Sequence, residues 1–345
     1  MITGRAGAAG PRAKPASCRL QMRAARSEIP ALFALFGGAL AIGTSGIFVR
    51  LSETGPTATA FWRGLFALPV LALWALIERR PGTALTARAG ELLRGWRDPV
   101  LLWAGVFFAG DLALWHWSLL LTSVAVSTLE ANCAPIVVTL CAWALWGERP
   151  RLGFALALAL AFGGMLLILG AKLVHGTALL GGDLLGLGTA CFYGFYLLAV
   201  ARLRARYGTG ALMFNTTLVF TLLLLPLALT QQFLPRTAHG WLLLVGCALL
   251  AQALGQSLIA YALAHLPVTF GSVGLYVAVI ASAVYAWLLL GERLAPRQLV
   301  GGAIVLVAIA LARAARPVAP QASPSAARAL RASSRTGMPR ESESR

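Results

Sequence analysis

The stretch ALWHWSLLLTSVAVSTLEANCAPIVVTLCAWALWGER, residues 113–149, overlays SLIAYALAHLPVTFGSVGLYVAVIASAVYAWLLLGER, residues 257–293, without a gap when the chain is slid by 144 residues. Identities along the overlay include Leu114 on Leu258, Leu119 on Leu263, Val124 on Val268 and Trp143 on Trp287. They end with Gly147-Glu148-Arg149 on Gly291-Glu292-Arg293. Leucine and alanine match often in any apolar chain, but a shared Trp and a shared Gly-Glu-Arg stop do not follow from composition. The chain reads as duplicated, and an internal repeat decides the architecture before any single segment does.

Working outward, apolar runs follow one another from Ile29 to Ala312, each close to the roughly 20 residues a helix needs to cross a bilayer. Hydrophobic residues form 59% of the chain, charged residues 12%, and the mean hydropathy is +0.77, which excludes a water-soluble domain of this length. The expected fold is all-α and integral to the membrane. Ten candidate helices cover 31–50, 58–77, 99–121, 124–146, 152–170, 184–201, 211–230, 240–263, 268–290 and 298–312. Five helices per repeat is an odd number, so the second repeat must enter the membrane from the side opposite to the first. Two inverted five-helix repeats, 29–171 and 182–312, are therefore expected between disordered basic tails at 1–28 and 313–345, which are rich in Arg, Ala, Ser and Pro.

Lys and Arg set the orientation, because cytoplasmic loops carry their excess. With the N-terminus inside, 23 of the 29 basic residues fall on the inner side, against five outside (Arg50, Lys172, Arg236, Arg293 and Arg297) and Arg63 within a helix. Both termini are expected in the cytoplasm, in a multi-pass protein of the cell's inner membrane. The net charge of +17 sits in the tails and inner loops, so it is a topology signal and not a nucleic-acid footprint. Met22 is an alternative start, which would leave residues 1–21 untranslated. The first apolar run lacks the small-residue cleavage site of a signal peptide. Five scattered cysteines support neither a disulfide framework nor a metal site. The chain has only Lys14 and Lys172 as lysines, neither in a P-loop, which excludes ATP-driven transport.

Ionisable residues inside bilayer helices are costly and mark functional candidates. Arg63, His116 and Glu130 each lie five or six residues from an outer helix end, roughly 8 Å deep at about 1.5 Å per residue. Their common level predicts a charge network in which Arg63 and Glu130 neutralise each other directly or through His116, with a lone snorkelling Arg63 as the competing arrangement. Asp111 lies near the midplane, beyond snorkelling reach, and suits a proton or a substrate ammonium as its partner. Trp115 follows four residues later on the same stripe, whereas His116 is turned about 140° away. On the next helix Thr128 and Asn132 share a face opposite Glu130. The second half offers neutral groups: Tyr193, Tyr196, Gln252, Gln256, Tyr261 and Tyr276. Amides and phenols suit a polar or amphipathic solute, and aromatic faces can hold a cation. The expected substrate-binding set is Asp111, Trp115, Thr128, Asn132, Tyr193, Gln252, Gln256 and Tyr276. Asn215-Thr216-Thr217 matches a glycosylation sequon but lies within a helix, so it is set aside.

The order of these signals resembles the drug/metabolite transporter superfamily, in its branch with two EamA-type domains. The carrying residues are Gly43-Thr44-Ser45-Gly46-Ile47-Phe48-Val49-Arg50, Ala60-Phe61-Trp62-Arg63, Phe107-Phe108-Ala109-Gly110-Asp111-Leu112 with Trp115-His116-Trp117, and Ala131-Asn132-Cys133-Ala134-Pro135, together with the two Gly-Glu-Arg stops. The resemblance spans 31–312 and departs where Val279 stands in place of Pro135, so a kink at Pro135 need not recur in the second repeat. It implies a secondary transporter of a small metabolite or drug-like solute by alternating access, proton-coupled or exchange-driven, with export favoured. No enzyme activity, cofactor or metal is expected; the partners are the solute, protons and lipid, and a homodimer stays open. The rival from another class is an intramembrane serine hydrolase of rhomboid type, with Ser45 of the GxSG pattern as nucleophile and His116 as base.

Overall fold

The computed structural model describes residues 16–78, 90, 97–121, 131–147, 150–173, 180–291 and 296–315. Helices account for nearly all of the ordered backbone, with no strand among the described residues. They are α1 (Ala16–Gly43), α2 (Ser45–Leu51), α3 (Pro56–Ile77), α4 (Pro99–Leu121), α5 (Ala134–Trp146), α6 (Leu152–Leu173) and α7 (Leu180–Leu203). There follow α8 (Thr209–Ala228), α9 (Ala238–Cys247), a π-helix (Ala248–Gln256), α10 (Ser257–Ala262), α11 (Val268–Gly274), α12 (Tyr276–Leu290) and α13 (Pro296–Ala314). Among the described residues seven continuous stretches are long and apolar enough to cross a bilayer, and three shorter apolar helices, Ala134–Leu145, Leu152–Leu167 and Leu299–Ala314, accompany them. The chain is an integral, multi-pass membrane protein. Large apolar side chains such as Phe33, Leu152, Leu184 and Leu242 stand outward, as a lipid-facing surface requires.

Several apolar runs that read as single helices are interrupted. The first breaks at Thr44, whose hydroxyl bonds back to the Ala41 carbonyl at 2.6 Å. The 268–290 run breaks at Leu275 without a proline there, so the two runs each have an interruption, at 132–133 before α5 and at 275 before α12, although only the first is followed by a proline. The 240–263 run widens into the π-helix, a form that concentrates at functional sites. α1 begins at Ala16, inside the stretch read from composition as a disordered tail. Both Gly147 and Gly291 take the left-handed backbone, φ 69° and 67°, which explains why each Gly-Glu-Arg stop begins with glycine.

The core joins the two halves. α3 packs along α8, α4 on α7 and on α8, α6 on α13, and α1 against the π-helix, α10 and α12. Gly210 lets α8 meet α3: a Cβ there would lie 2.6 Å from the Cα of Ala75. Carboxylates close the ends. Glu78 accepts from the Thr209 and Gly210 amides at 3.0 and 2.9 Å, meeting the free N–H groups and positive end of α8. At the opposite end of α3, Glu53 accepts from the Arg236 and Thr237 amides at 2.6 and 3.0 Å and from the Thr237 hydroxyl, just before α9. Gln231 bridges to Thr57 through both its amide atoms, and the Trp62 indole donates to the Phe233 carbonyl at 2.8 Å.

Two expectations follow. Gly210→Ala drives a methyl into helix backbone that cannot yield, and is expected to cost about 2 kcal/mol or more, as core overpacking does. Gly163→Ala, where nothing lies within 4 Å of the new atom, should be neutral or slightly stabilising. Melting temperatures in detergent separate the two, and equal losses would contradict the α3–α8 contact. Glu53 is held below the usual carboxylate range, chiefly by the Thr237 hydroxyl and then by the Arg236 amide. A depressed carboxyl stabilises above its unfolded value, near about 4.3, and loses that contribution as pH falls through its folded value. The melting difference between wild type and Glu53→Gln should therefore be constant above about pH 5 and shrink on acidification; a difference independent of pH would contradict the clasp.

Candidate functional site

At the crossing of the two halves lies Arg63, on α3 and only 5% exposed. Its Nε donates to Gln252 Oε1 at 3.1 Å and its Nη1 to Ser45 Oγ at 3.1 Å. Gln252, on the π-helix, passes its own amide N–H to Thr217 Oγ1 of α8 at 3.0 Å. One polar chain thus runs through α2, α3, the π-helix and α8. The guanidinium also lies 6.0 Å from the Phe108 ring centroid. Phe108 is stacked on Tyr196 at 4.5 Å, Tyr196 on Tyr193 at 6.0 Å, and Phe220 meets Phe108 edge-on at 5.1 Å, which forms an aromatic wall from α4, α7 and α8.

Local structure explains this placement. The break at Thr44 starts α2 at Ser45, and Gly43 lets the chain approach α12: a Cβ there would lie 2.9 Å from both the Ala278 carbonyl and Ala281 Cβ. The π-helix widens the turn that carries Gln252 and Gln256, which are 0% and 3% exposed. Asp111 is half-buried on α4, and its charge acts on Arg63, Tyr193 and Tyr196, yet no ion pair joins it to Arg63. Tyr193 is half-buried and its hydroxyl interacts with the Gln256 amide. Gln256 Oε1 has no partner among the described residues, and neither has the hydroxyl of fully buried Tyr276.

The structure therefore gathers Arg63, Asp111, Tyr193, Gln252 and Gln256 around one point. His116 is buried within electrostatic reach of Arg63, with its ring 5.1 Å from Trp115, which is half-buried. Asn132 sits half-buried in the break before α5, and Tyr276 opens α12 after the other break. Thr128 and Glu130 lie outside the described residues, and so does any Arg63–Glu130 pair. Among the described residues Arg63 is partnered by the neutral groups of Gln252 and Ser45. Ser45, Phe108 and Thr217 were not in the expected binding set. Ser45 and Thr217 carried signals of other kinds, as a hydrolase motif and a discarded sequon, and Phe108 lay three residues from Asp111 in an apolar run.

The nucleophile reading of Ser45 is corrected. Its hydroxyl accepts from the Arg63 cation, no hydrogen bond joins it to His116, and a cation beside the oxygen supplies no base to take its proton. Among the described residues no group of three or more His, Cys, Asp or Glu is placed to hold a metal.

Comparison with known proteins places the geometry in context. The model of the EamA-like transporter family matches residues 29–170 and again 180–314. The pseudopaline exporter CntI of Pseudomonas aeruginosa strain UCBPP-PA14 is 28% identical over 231 residues, covering 66% of this chain and 80% of the relative. The same exporter from strain ATCC 15692 gives the same figures. A solved crystal structure superposes with a TM-score of 0.65 at 19% identity, covering 84% of this chain and 97% of that one, a likeness of fold alone.

Proposed function

This chain belongs to the EamA-like transporter family, and from that premise we propose that it is a secondary transporter moving a small metabolite or drug-like solute by alternating access, in the direction of export. The observation that carries the reading is the buried constellation of Arg63, Asp111, Tyr193, Gln252 and Gln256, drawn from both halves and set within helices that cross the bilayer. Intramembrane charge facing other polar groups, and not lipid, is the usual mark of a solute or ion path. Export is favoured by the likeness to a named exporter.

The working unit is ten membrane helices in two inverted five-helix repeats, with both termini cytoplasmic. Support comes from features that occur twice. The family matches each half separately. Each half has a left-handed glycine closing a helix, and each has a break preceding it. The packings also correspond when the halves are exchanged: α4 on α7 answers α1 on the π-helix and α10, α8 on α4 answers α3 on the π-helix, and α5 on α7 answers α12 on α1. The α3–α8 and α6–α13 pairs answer themselves, as helices beside a twofold axis would. Inverted repeats about an axis in the membrane plane, with interrupted helices at the binding site, are a recurring plan of secondary transporters. This reading assigns the protein no enzymatic step.

Asp111 is the coupling group in this account, exchanging a proton or the cationic end of the solute as the two sides open in turn. The solute is to be found by untargeted comparison of metabolites inside and outside cells with and without the protein. In proteoliposomes, Asp111→Asn is expected to abolish gradient-driven accumulation of that solute while the protein still inserts and still exchanges solute downhill. Uphill transport by Asp111→Asn with an unchanged pH profile would make Asp111 a structural hydrogen-bonding residue.

A further inference from the structure

Arg63 carries a positive charge that, among the described residues, no ion pair neutralises. A guanidinium offers five donors in a rigid fork. Here Nε goes to Gln252 and Nη1 to Ser45, and among the described residues Nη2 has no partner. Both acceptors are neutral, and among the described residues no ion pair reaches the cation, Asp111 included. Two hydrogen bonds to a neutral amide and a hydroxyl could be met by a neutral side chain, without the several kcal/mol that a buried ion costs when no counter-ion neutralises it. The two bonds instead take up Nε and one N–H of Nη1, and the guanidinium carbon lies 6.0 Å from the Phe108 ring, at the end of the aromatic wall continued by Tyr196 and Tyr193.

We propose that Arg63 is the anion receptor of the site: the transported solute bears a carboxylate-class group that docks on the terminal edge of Arg63, on Nη2 and the second N–H of Nη1, with an apolar or aromatic body laid against the half-buried Tyr193. The proposal rests on the transporter reading and names the solute class it would serve. Ser45 and Gln252 are positioning residues that fix the fork; Asp111, which forms no ion pair with Arg63, sets the orientation of the anion by repulsion. A planar fork binds a carboxylate through two parallel hydrogen bonds, which gives direction as well as affinity.

The test uses the purified full chain in detergent and three probes sharing one aromatic body: 3-phenylpropionate, 3-phenylpropylamine and 3-phenyl-1-propanol, with binding read from thermal-shift titration. Wild type is expected to bind the carboxylate more tightly than the alcohol and the amine. Arg63→Gln should weaken the carboxylate by about tenfold or more, the size of a lost charge-assisted hydrogen bond, and leave the alcohol unchanged. Arg63→Lys keeps the charge but not the fork and should fold where Gln fails; a loss of about threefold is expected. The proposal is overturned if the carboxylate binds wild type no better than the alcohol, if the amine binds best, or if carboxylate affinity is unchanged in either variant. Because the readout is binding, absent transport by a protein that binds 3-phenylpropionate through Arg63 counts against the transporter reading alone. Transport of a solute lacking any anionic group counts against the receptor alone.

Discussion

A guanidinium sunk among membrane helices must be hydrogen-bonded, and meeting that requirement organises the centre of this protein. Ser45, Gln252 and Thr217 form the chain that holds Arg63, and the first two owe their positions to irregularities of the backbone. Ser45 is available because α1 stops at Gly43 and α2 restarts after Thr44. Gln252 is available because the 240–263 run widens into a π-helix. Residues 189 positions apart in sequence, Arg63 and Gln252, thereby join the two halves through a bond that neither half can make alone.

The ends of the assembly are fixed by a different device. Backbone N–H groups at helix starts have no partners within the helix, and a nearby carboxylate meets both the hydrogen-bond need and the dipole. Glu78 does this for α8, and Asp98 does it for α4, accepting from the Val100 amide at 3.0 Å while also receiving the Tyr207 hydroxyl at 3.0 Å. With Glu53 gathering the turn before α9, the α3–α8 pair is tied at both ends as well as along its length. The ties leave the interior free for Arg63, Asp111 and the aromatic wall.

Much of the helical pattern was legible because bilayer length is a hard constraint and apolar runs display it: the described α4 begins at Pro99 and ends at Leu121, where the sequence placed it. The interruptions were not legible. The break at Leu275 has no proline and only Gly274 beside it, and no local pattern in the 240–263 run marks the π-helix. Depth along a helix could be read, and it put Arg63 and His116 at one level. Rotation could not, so the Gln252 amide of the other half and the Ser45 hydroxyl were not expected as partners of Arg63, and the expected partner Glu130 lies outside the described residues. Ser45 shows a different failure: GxSG was visible, but its first glycine, Gly43, serves a close helix approach, and the serine serves the cation.

The central claim is that two halves insert in opposite senses around this charged crossing. The most direct measurement is a set of compartment-specific reporter fusions at Arg88, Arg204 and Arg328, and near Lys172 and Arg236. The account predicts cytoplasmic signals at the first three positions and external signals at the other two. An external signal at Arg328, or signals from the same side at Arg204 and Arg236, would contradict it.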